Sequence, residues 1–361
     1  VNGTVWNVSP GRIMYQDKSV LVDSVRVGRP GQFVLVNGRA TASPDDKILV
    51  DLRDIDLDYV FETLNINYVT FGGRASGRVE VSSLFSGSPV LATEQLSVKR
   101  LTYNNSLLGN ALIDSHWDNG RKSVYLDARI SENKNQVARI YGDIFATRDS
   151  LSLHCDARKV NIGFMQPFMA AFSSAIEGRA SGKVHLYGTF KDIDLAGKVF
   201  ADSLRMKIDV TNTWYSASDT VVMRPGRIIL DDITLRDRDG HTALLNGEVR
   251  HRYFHDPSFD FTITKARNFL CYDTNAALNP VWYGTIYGNG SGSLHGVPGF
   301  INVMVDMTSA PGSTFTFVLD DSEEAMSYQF ITFTDKRKAA IEAAIKAREE
   351  ERDDRPVFLK E

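Results

Sequence analysis

The pentapeptide Gly-Arg-Ala-Ser-Gly occurs twice in the sequence, at Gly73–Gly77 and at Gly178–Gly182. A degraded copy, Gly-Asn-Gly-Ser-Gly, follows at Gly288–Gly292. Each copy leads into a segment such as Arg78-Val79-Glu80-Val81, where polar and apolar residues alternate as they do in a half-buried strand. We therefore interpret the three copies as marks of a repeating β unit.

A second feature keeps the same period. Arg53, Arg158 and Arg267 are separated by 105 and 109 residues, and the glycine copies are separated by 105 and 110. Two unrelated features with one period indicate a true internal repeat. Short helices are predicted just after each arginine, over Leu57–Leu64, Ile162–Ala175 and Asn268–Leu278.

The segments between these marks are rich in β-branched and aromatic residues and are separated by turn signals, which is typical of antiparallel strands with one apolar face. Such faces are buried by stacking on neighbouring units. We predict an all-β, predominantly antiparallel fold: an elongated repeat array that forms a curled, taco-like or solenoid-like groove, with short interspersed helices and a charged helix near the C-terminus.

The predicted organisation has six segments. They are a first, partial β repeat with a short helix over 1–72, a second repeat over 73–177, a third over 178–287, the start of a fourth over 288–334, a charged helix or flexible insertion over 335–354, and resumed β structure over 355–361. Val1-Asn2-Gly3-Thr4 is not the start of a signal peptide, and Val5 already lies in strand-like sequence, so we expect a piece of a longer protein, with any anchor or targeting signal upstream.

Composition excludes several functions. The net charge of −4 argues against nucleic acid as a partner, because a phosphate-binding surface needs a basic excess. No apolar run approaches the roughly 20 residues of a membrane-spanning helix. Cys155 and Cys271 lie too far apart for a metal motif or a disulfide framework, and we expect two reduced or buried thiols.

Motifs of catalysis are absent from the sequence, including a nucleophile elbow, a P-loop and a metalloprotease helix. His251 and His255 are four residues apart, but they lie at a strand end and are interpreted as loop histidines. We predict no enzyme activity, no cofactor and no metal. The motif glycines are predicted to form structural turns; they are Gly73, Gly77, Gly178, Gly182, Gly288 and Gly292.

The remaining signal is the long apolar face itself. Such a face either packs into a closed core or stays open as a groove for hydrocarbon, and burial of a lipid methylene yields about 0.8 kcal/mol without any catalytic residue. The candidates for a lipid groove are Val79, Val81, Leu126, Ile130, Ile140, Ile144, Leu153, Val184, Leu186, Phe259, Phe261, Ile263, Phe315 and Phe317.

The repeating pattern of strand, arginine, short apolar helix, glycine-rich turn and strand resembles the AsmA-like repeat family, and within it the translocation and assembly module subunits. The segments that carry the resemblance are Phe71–Val81, Ile176–Gly188, Phe190–Val199, Leu245–Val249 and Val36–Ala40. It covers most of residues 1–334, but its motifs are degenerate, and the charged segment 335–354 has no counterpart in the family pattern.

The resemblance implies a long β structure in the periplasm of a Gram-negative bacterium, belonging to a protein anchored in the inner membrane. It implies a role in moving phospholipid towards the outer membrane, and in assembling outer-membrane proteins with a BamA-like barrel partner. Two alternatives stay open from the residues alone: a protein-binding scaffold for barrel assembly, and a surface β-solenoid adhesin without lipid transport.

Overall fold

A computed structural model describes residues 5–63, 71–86, 89–170, 172–297 and 299–318 of the chain. The predicted charged helix over 335–354, the resumed β structure over 355–361 and part of the predicted fourth repeat lie outside the described residues.

The described residues form one antiparallel sheet of 20 strands. From β3 to β19 each strand pairs with the next one in the chain, while β1 and β2 both pair with β3, and β20 pairs with β18. This confirms the all-β, antiparallel prediction. The strands are β1 (Asn7–Val8), β2 (Arg12–Gln16), β3 (Ser19–Arg29), β4 (Gln32–Ala40), β5 (Lys47–Asp56), β6 (Phe71–Ser82), β7 (Val90–Tyr103), β8 (Ser106–Asp118), β9 (Ser123–Asn133), β10 (Gln136–Phe145), β11 (Ser150–Asn161), β12 (Ser173–Thr189), β13 (Ile193–Ile208), β14 (Thr213–Arg224), β15 (Arg227–Arg236), β16 (Thr242–Arg252), β17 (His255–Thr274), β18 (Trp282–Val297), β19 (Phe300–Ser309) and β20 (Thr314–Phe317).

The chain divides into a main unit, residues 1–274 and 284–315, and a small unit, residues 275–283 and 316–361. In the described part of the small unit, the side-chain oxygen of Asn275 accepts hydrogen bonds from the N–H groups of Ala277 (3.0 Å) and Leu278 (3.1 Å). The N–H group of Val318 donates to the Val281 carbonyl at 2.8 Å. The small unit therefore contains a locally closed turn, and the main unit carries the features described below.

Two of the three predicted helices are present in shorter form. Helix α1 spans Leu57–Thr63, and a 3₁₀ turn at Gly163–Met165 leads into α2, Gln166–Met169. The third prediction, over 268–278, is wrong because β17 continues to Thr274.

Contacts from neighbouring segments hold that part of β17 extended. The Leu270 N–H donates to the Asp237 carboxylate at 2.9 Å, and the Leu270 carbonyl accepts from the Tyr215 hydroxyl at 2.8 Å. The Asp273 N–H donates to the Thr211 carbonyl at 3.0 Å. Long-range hydrogen bonds therefore override a weak local preference for helix.

The sheet of the main unit curls. Strands β14 and β17 would lie about 14 Å apart in a flat sheet, given a spacing of about 4.8 Å between neighbouring strands. Instead the ring of Tyr215 in β14 stacks on that of Phe269 in β17, with the ring centroids 5.0 Å apart. These contacts are possible only if the intervening strands bend, so the curl expected from the sequence is present.

Regular β-bulges accompany the curl. At each of seven strand residues the backbone adopts a left-handed conformation, with φ between 49° and 54°, and its N–H group points to a side-chain oxygen of the next strand at 2.8–2.9 Å. Bulges increase the local twist of a strand, and the side-chain acceptor replaces the ladder bond that the bulge removes. The pairs are Asp54–Ser76, Gln95–Asp114, Arg100–Asn110, Lys159–Ser181, Ser203–Ser218, Asp232–Asn246 and Asn268–Asn289.

These bulges explain the repeated pentapeptide. Ser76 and Ser181 are its serines, and they accept the N–H groups of Asp54 and Lys159, the residues that follow Arg53 and Arg158. The residue after each arginine is therefore hydrogen-bonded to the pentapeptide of the next strand, which explains why the two features share a period. In the degraded copy Asn289 takes this role towards Asn268, which follows Arg267.

The motif glycines lie inside strands β6, β12 and β18, which corrects the prediction that they form turns. Gly178 has φ 134°, and a Cβ atom added there would lie 2.9 Å from the Leu204 Cα atom and 3.0 Å from the Ser203 carbonyl oxygen. Ser203 is itself a bulge residue, with φ 54°. The glycine is required because the bulged strand beside it approaches the backbone too closely for a side chain.

Ser76→Ala should destabilise the fold, because it leaves the Asp54 N–H group without its acceptor. A loss of about 1–2 kcal/mol in the free energy of unfolding is expected from urea denaturation followed by circular dichroism. Ser76→Thr keeps a hydroxyl group at the same place and should retain most of the stability. Equal losses in the two variants would contradict the role assigned to the serine hydroxyl.

Gly178→Ala should cost about 3 kcal/mol in the same measurement, since backbone strain at positive φ adds to the steric overlap with the neighbouring strand. Gly240 is the matched control because it also has a positive φ, 87°, but its added Cβ atom meets no heavy atom within 4 Å. Gly240→Ala should therefore cost only the backbone term of about 1–2 kcal/mol. A loss at Gly178 no larger than that at Gly240 would show that the overlap is unimportant.

Candidate apolar groove

Strand register places the apolar residues of successive strands on one face of the sheet, because directly paired residues of antiparallel strands share a face. One row of partners runs through ten successive strands, from β3 to β12, and its members are Val25, Val36, Val50, Val79, Thr93, Ser115, Leu126, Gly142, Leu153 and Leu186. A second row continues to β19 through Val184, Gly197, Met223, Ile228, Val249, Phe259, Gly296 and Ile301. The main unit therefore has one predominantly apolar face.

Twelve of the fourteen predicted groove residues lie on this face. They are Val79 and Val81 in β6, Leu126 and Ile130 in β9, Ile140 and Ile144 in β10, Leu153 in β11, Val184 and Leu186 in β12, and Phe259, Phe261 and Ile263 in β17. The other two, Phe315 and Phe317, are exposed residues of β20.

The apolar face is buried along a seam and only half-buried elsewhere. Three clusters of fully buried side chains form the seam, one of them around Ala75, Val98 and Ile130, and another around Ala266 and Phe269. Of the twelve residues above, Ile130 alone is fully buried, and the other eleven keep part of their surface accessible. A closed sandwich would bury them all, so the curled face is an open groove beside a packed seam.

Residues 163–170 together with Phe172, which we call the strap, cross this groove. Phe164, Phe168 and Phe172 recur every four residues. The Phe164 ring lies 5.9 Å from Tyr103 at the end of β7, and the Phe172 ring lies 6.1 Å from Phe259 on the apolar face of β17. The strap thus contacts walls of the groove that are ten strands apart in the sheet.

The opposite face is polar and carries ion pairs between strands. Arg139 donates two hydrogen bonds to the Asp127 carboxylate, at 2.9 and 2.8 Å, and Arg129 adds a third at 3.2 Å. The Arg139 hydrogen bonds, followed by that of Arg129, hold the pKa of Asp127 below its ordinary value. Arg227 and Arg250 flank Glu248 in the same way, and they lower its pKa too.

Histidines and tyrosines also line the polar face. His154 and His185 are direct partners across β11 and β12, and their rings stack with centroids 4.5 Å apart. The Ser152 hydroxyl lies 2.8 Å from His185 Nε2. Burial, and then the nearby His154, lower the pKa of His185, so this imidazole favours its neutral form. The pair contributes stacking between strands at the back of the groove.

The two cysteines are half-buried thiols without a disulfide. Cys155 lies on the apolar face, where it pairs with Ile140 and Val184, and burial raises its pKa. Burial likewise raises the pKa of Cys271 to about 11. Neither thiol has the low pKa of a reactive cysteine.

One cluster of potential metal ligands occurs in the described part of the chain, at Asp237, Asp239 and His241 between β15 and β16. The Asp237 side chain is fully buried, and its Oδ1 atom accepts the N–H groups of Asp239 and His241, both at 2.9 Å. Its Oδ2 atom lies 2.9 Å from the Leu270 N and 3.1 Å from His241 Nδ1. One oxygen of the carboxylate therefore closes the loop, and the other binds the loop to β17.

His251 lies in β16 and His255 is the first residue of β17, so both are strand residues and the interpretation as loop histidines is wrong. His251 stacks on Phe254 at 4.3 Å and its Nδ1 atom accepts the Phe254 N–H group at 3.1 Å, while His255 is exposed at the start of β17. Among the described residues, no helix is long and apolar enough to cross a membrane.

A known protein family is similar to the C-terminal part of the chain. Residues 231–360, which begin within β15 and include β16–β20, match the family model of the TamB C-terminal domain. Over these residues the chain resembles TamB. The match confirms the resemblance to the AsmA-like repeat family that the motifs indicated. Comparisons with curated proteins and with solved structures found no match.

Sequence reasoning missed the strap, and it missed the side-chain oxygens that accept hydrogen bonds from the bulged N–H groups. The strap residues were interpreted only as a short apolar helix, although phenylalanine at every fourth position was a visible signal. The signal for these acceptors was weaker, because it consists only of a serine, asparagine or aspartate in the strand opposite each bulge. Such a pairing depends on strand register, which the sequence does not state.

Arg139→Gln should make the free energy of unfolding less dependent on pH in the acidic range. Asp127 loses its strongest hydrogen bonds in this variant, and its pKa therefore rises towards the ordinary value. A carboxylate with a lowered pKa stabilises the folded state above its unfolded-state pKa of about 3.9, and this stability is lost as the pH falls through the lowered value. The variant should therefore unfold at a lower temperature than the native chain at pH 7, with the difference disappearing at strongly acidic pH.

Lys198→Gln is the control, since it removes one positive charge from the same face without touching Asp127. The measurement is the melting temperature of the native chain, Arg139→Gln and Lys198→Gln at several pH values between about 2 and 7. A deficit of Arg139→Gln that persisted at the acidic end would contradict the link to the Asp127 carboxylate.

Proposed function

We propose that this TamB-like chain shields phospholipid acyl chains in its apolar groove, in the periplasm of a Gram-negative bacterium, and so supports the supply of lipid to the outer membrane. The single observation that carries the proposal is the continuous apolar face that stays half-open across the curled sheet. The family match supports the setting: an envelope protein with a role in lipid transport or in outer-membrane protein assembly.

Physical chemistry supports lipid as the occupant. Each acyl methylene that leaves water yields about 0.8 kcal/mol, and this requires only a continuous apolar lining. Equivalent Val, Ile, Leu and Phe contacts recur from strand to strand, so a chain that slides along the groove exchanges one set of contacts for a similar one. The ion-paired back of the sheet remains suited to water. This role needs no catalytic residue, and we propose a non-enzymatic protein without a cofactor.

Assembly of outer-membrane proteins with a BamA-like barrel partner is the second proposed role. Exposed apolar residues concentrate in β19, at one edge of the described sheet, and Phe300, Met304 and Val305 are more than half exposed. A sheet edge of this kind can accept a strand from another protein. Barrel binding would depend on the edge, whereas lipid binding would depend on the groove.

Phe261→Asp should reduce the phospholipid that co-purifies with the chain from bacterial membranes by about tenfold, because a carboxylate in the lining must be desolvated beside each acyl chain. Thr262→Asp is the matched control: it is the next residue of β17, exposed on the polar face, and should leave bound lipid unchanged. Mass spectrometry of extracted lipid provides the measurement, with circular dichroism to show that both variants fold.

Equal lipid in both variants, or none in the native chain, would overturn the groove proposal. Binding to a BamA-like barrel that survives Phe261→Asp but is lost when a charge is placed at Val305 would favour the assembly role instead.

A further inference from the structure

The strap is fastened firmly on one side of the groove. The Asn104 side chain donates a hydrogen bond to the Phe164 carbonyl at 3.2 Å, and the Gln166 side chain donates to the Ser173 carbonyl at 2.7 Å. At its end the Phe172 carbonyl accepts the Asp209 N–H group at 3.1 Å. These bonds tie the strap to β7–β8 and to β12–β13.

Its contacts with the far wall are of a different kind. The Phe168 ring lies 6.2 Å from the ring of Phe254, and the Phe172 ring lies 6.1 Å from that of Phe259, which in turn stacks on Phe261 at 5.7 Å. In a flat sheet β12 and β17 would be about 24 Å apart, so these rings meet only because the sheet curls around them. Ring contacts have no fixed donor and acceptor geometry, and the rings can separate without leaving a polar group unsatisfied.

The ring contact joins the start of β12 to β17 across the apolar face. Phe172 directly precedes β12, whose apolar face carries Val184 and Leu186, and Phe259 lies on the apolar face of β17, where its ring stacks on Phe261. A hydrocarbon chain that moves along the face from β12 towards β17 meets Phe172 and Phe259 on its way. Phe168 is 47% exposed although it is apolar, so the contact is not part of the packed seam.

We propose that the strap is an aromatic gate in the groove, closed in this structure by the pairs Phe168–Phe254 and Phe172–Phe259, which a lipid chain must part in order to pass from β12 to β17. The gate would regulate movement along the groove rather than the amount of lipid held. The inference rests on the proposed lipid-shielding function.

The test uses the 361-residue chain loaded with a fluorescent phospholipid, and it measures both the lipid bound per chain and the rate of release to acceptor vesicles. Phe168→Ala combined with Phe172→Ala should speed release by about five- to tenfold, because two ring contacts no longer have to be broken. The amount of bound lipid should stay within about a factor of two, since the lining of the groove is intact.

Phe200→Ala is the matched control. Phe200 is 45% exposed, much like Phe168, but it pairs with Ser181 and Thr220 on the polar face. Its replacement should change neither quantity. If the double variant fails to fold, Phe254→Ala tests the same gate from the opposite wall and should also speed release.

The outcomes separate the two proposals. Faster release with unchanged loading, confined to the gate variants, supports the gate. Release at the native rate from a lipid-loaded gate variant overturns the gate alone and leaves the lipid groove standing. A native chain that takes up no lipid overturns both.

Discussion

The hydrogen bond between a bulged N–H group and a side-chain oxygen of the next strand is the interaction on which the curl of this sheet depends. A left-handed residue within a strand costs about 1–2 kcal/mol and withdraws a backbone donor from the ladder. Ser76, Ser181 and Asn289 return an acceptor to that donor at corresponding places in the repeats. The bulge therefore persists at a fixed position, and the added twist recurs at the spacing of the sequence repeat.

Curling has opposite effects on the two parts of the apolar face. Where the sheet bends most tightly, as at Tyr215 and Phe269, side chains from strands three apart stack and form a dry seam. Elsewhere on the face, residues such as Leu153 and Leu186 remain half-buried. One alternating sequence pattern thus produces both the packing that stabilises the fold and the open surface proposed to hold lipid.

The sequence was sufficient to predict the fold class and the face on which each candidate lies, because alternation with period two and the 105-residue spacing are local or additive signals. It was not sufficient to predict local structure at positions where contacts from other strands determine that structure. Residues 268–274 have a helical pattern but are held extended by Asp237, Tyr215 and Thr211. The pentapeptide glycines look like turn residues, yet Gly178 is set by the approach of Ser203 from the neighbouring strand. Register and curl create these contacts, and neither is encoded within one strand.

The same limit explains why the strap could be recognised only in three dimensions. Phenylalanine at every fourth position indicates an apolar helix stripe, and such a stripe normally packs on its own neighbours. Here the partners of Phe168 and Phe172 lie more than 80 residues later, in β17 and the turn before it. A uniform apolar lining offers a sliding chain similar contacts throughout, so it cannot by itself control movement. A flexible aromatic contact at one point introduces a local barrier, and that barrier can be changed without altering the lining.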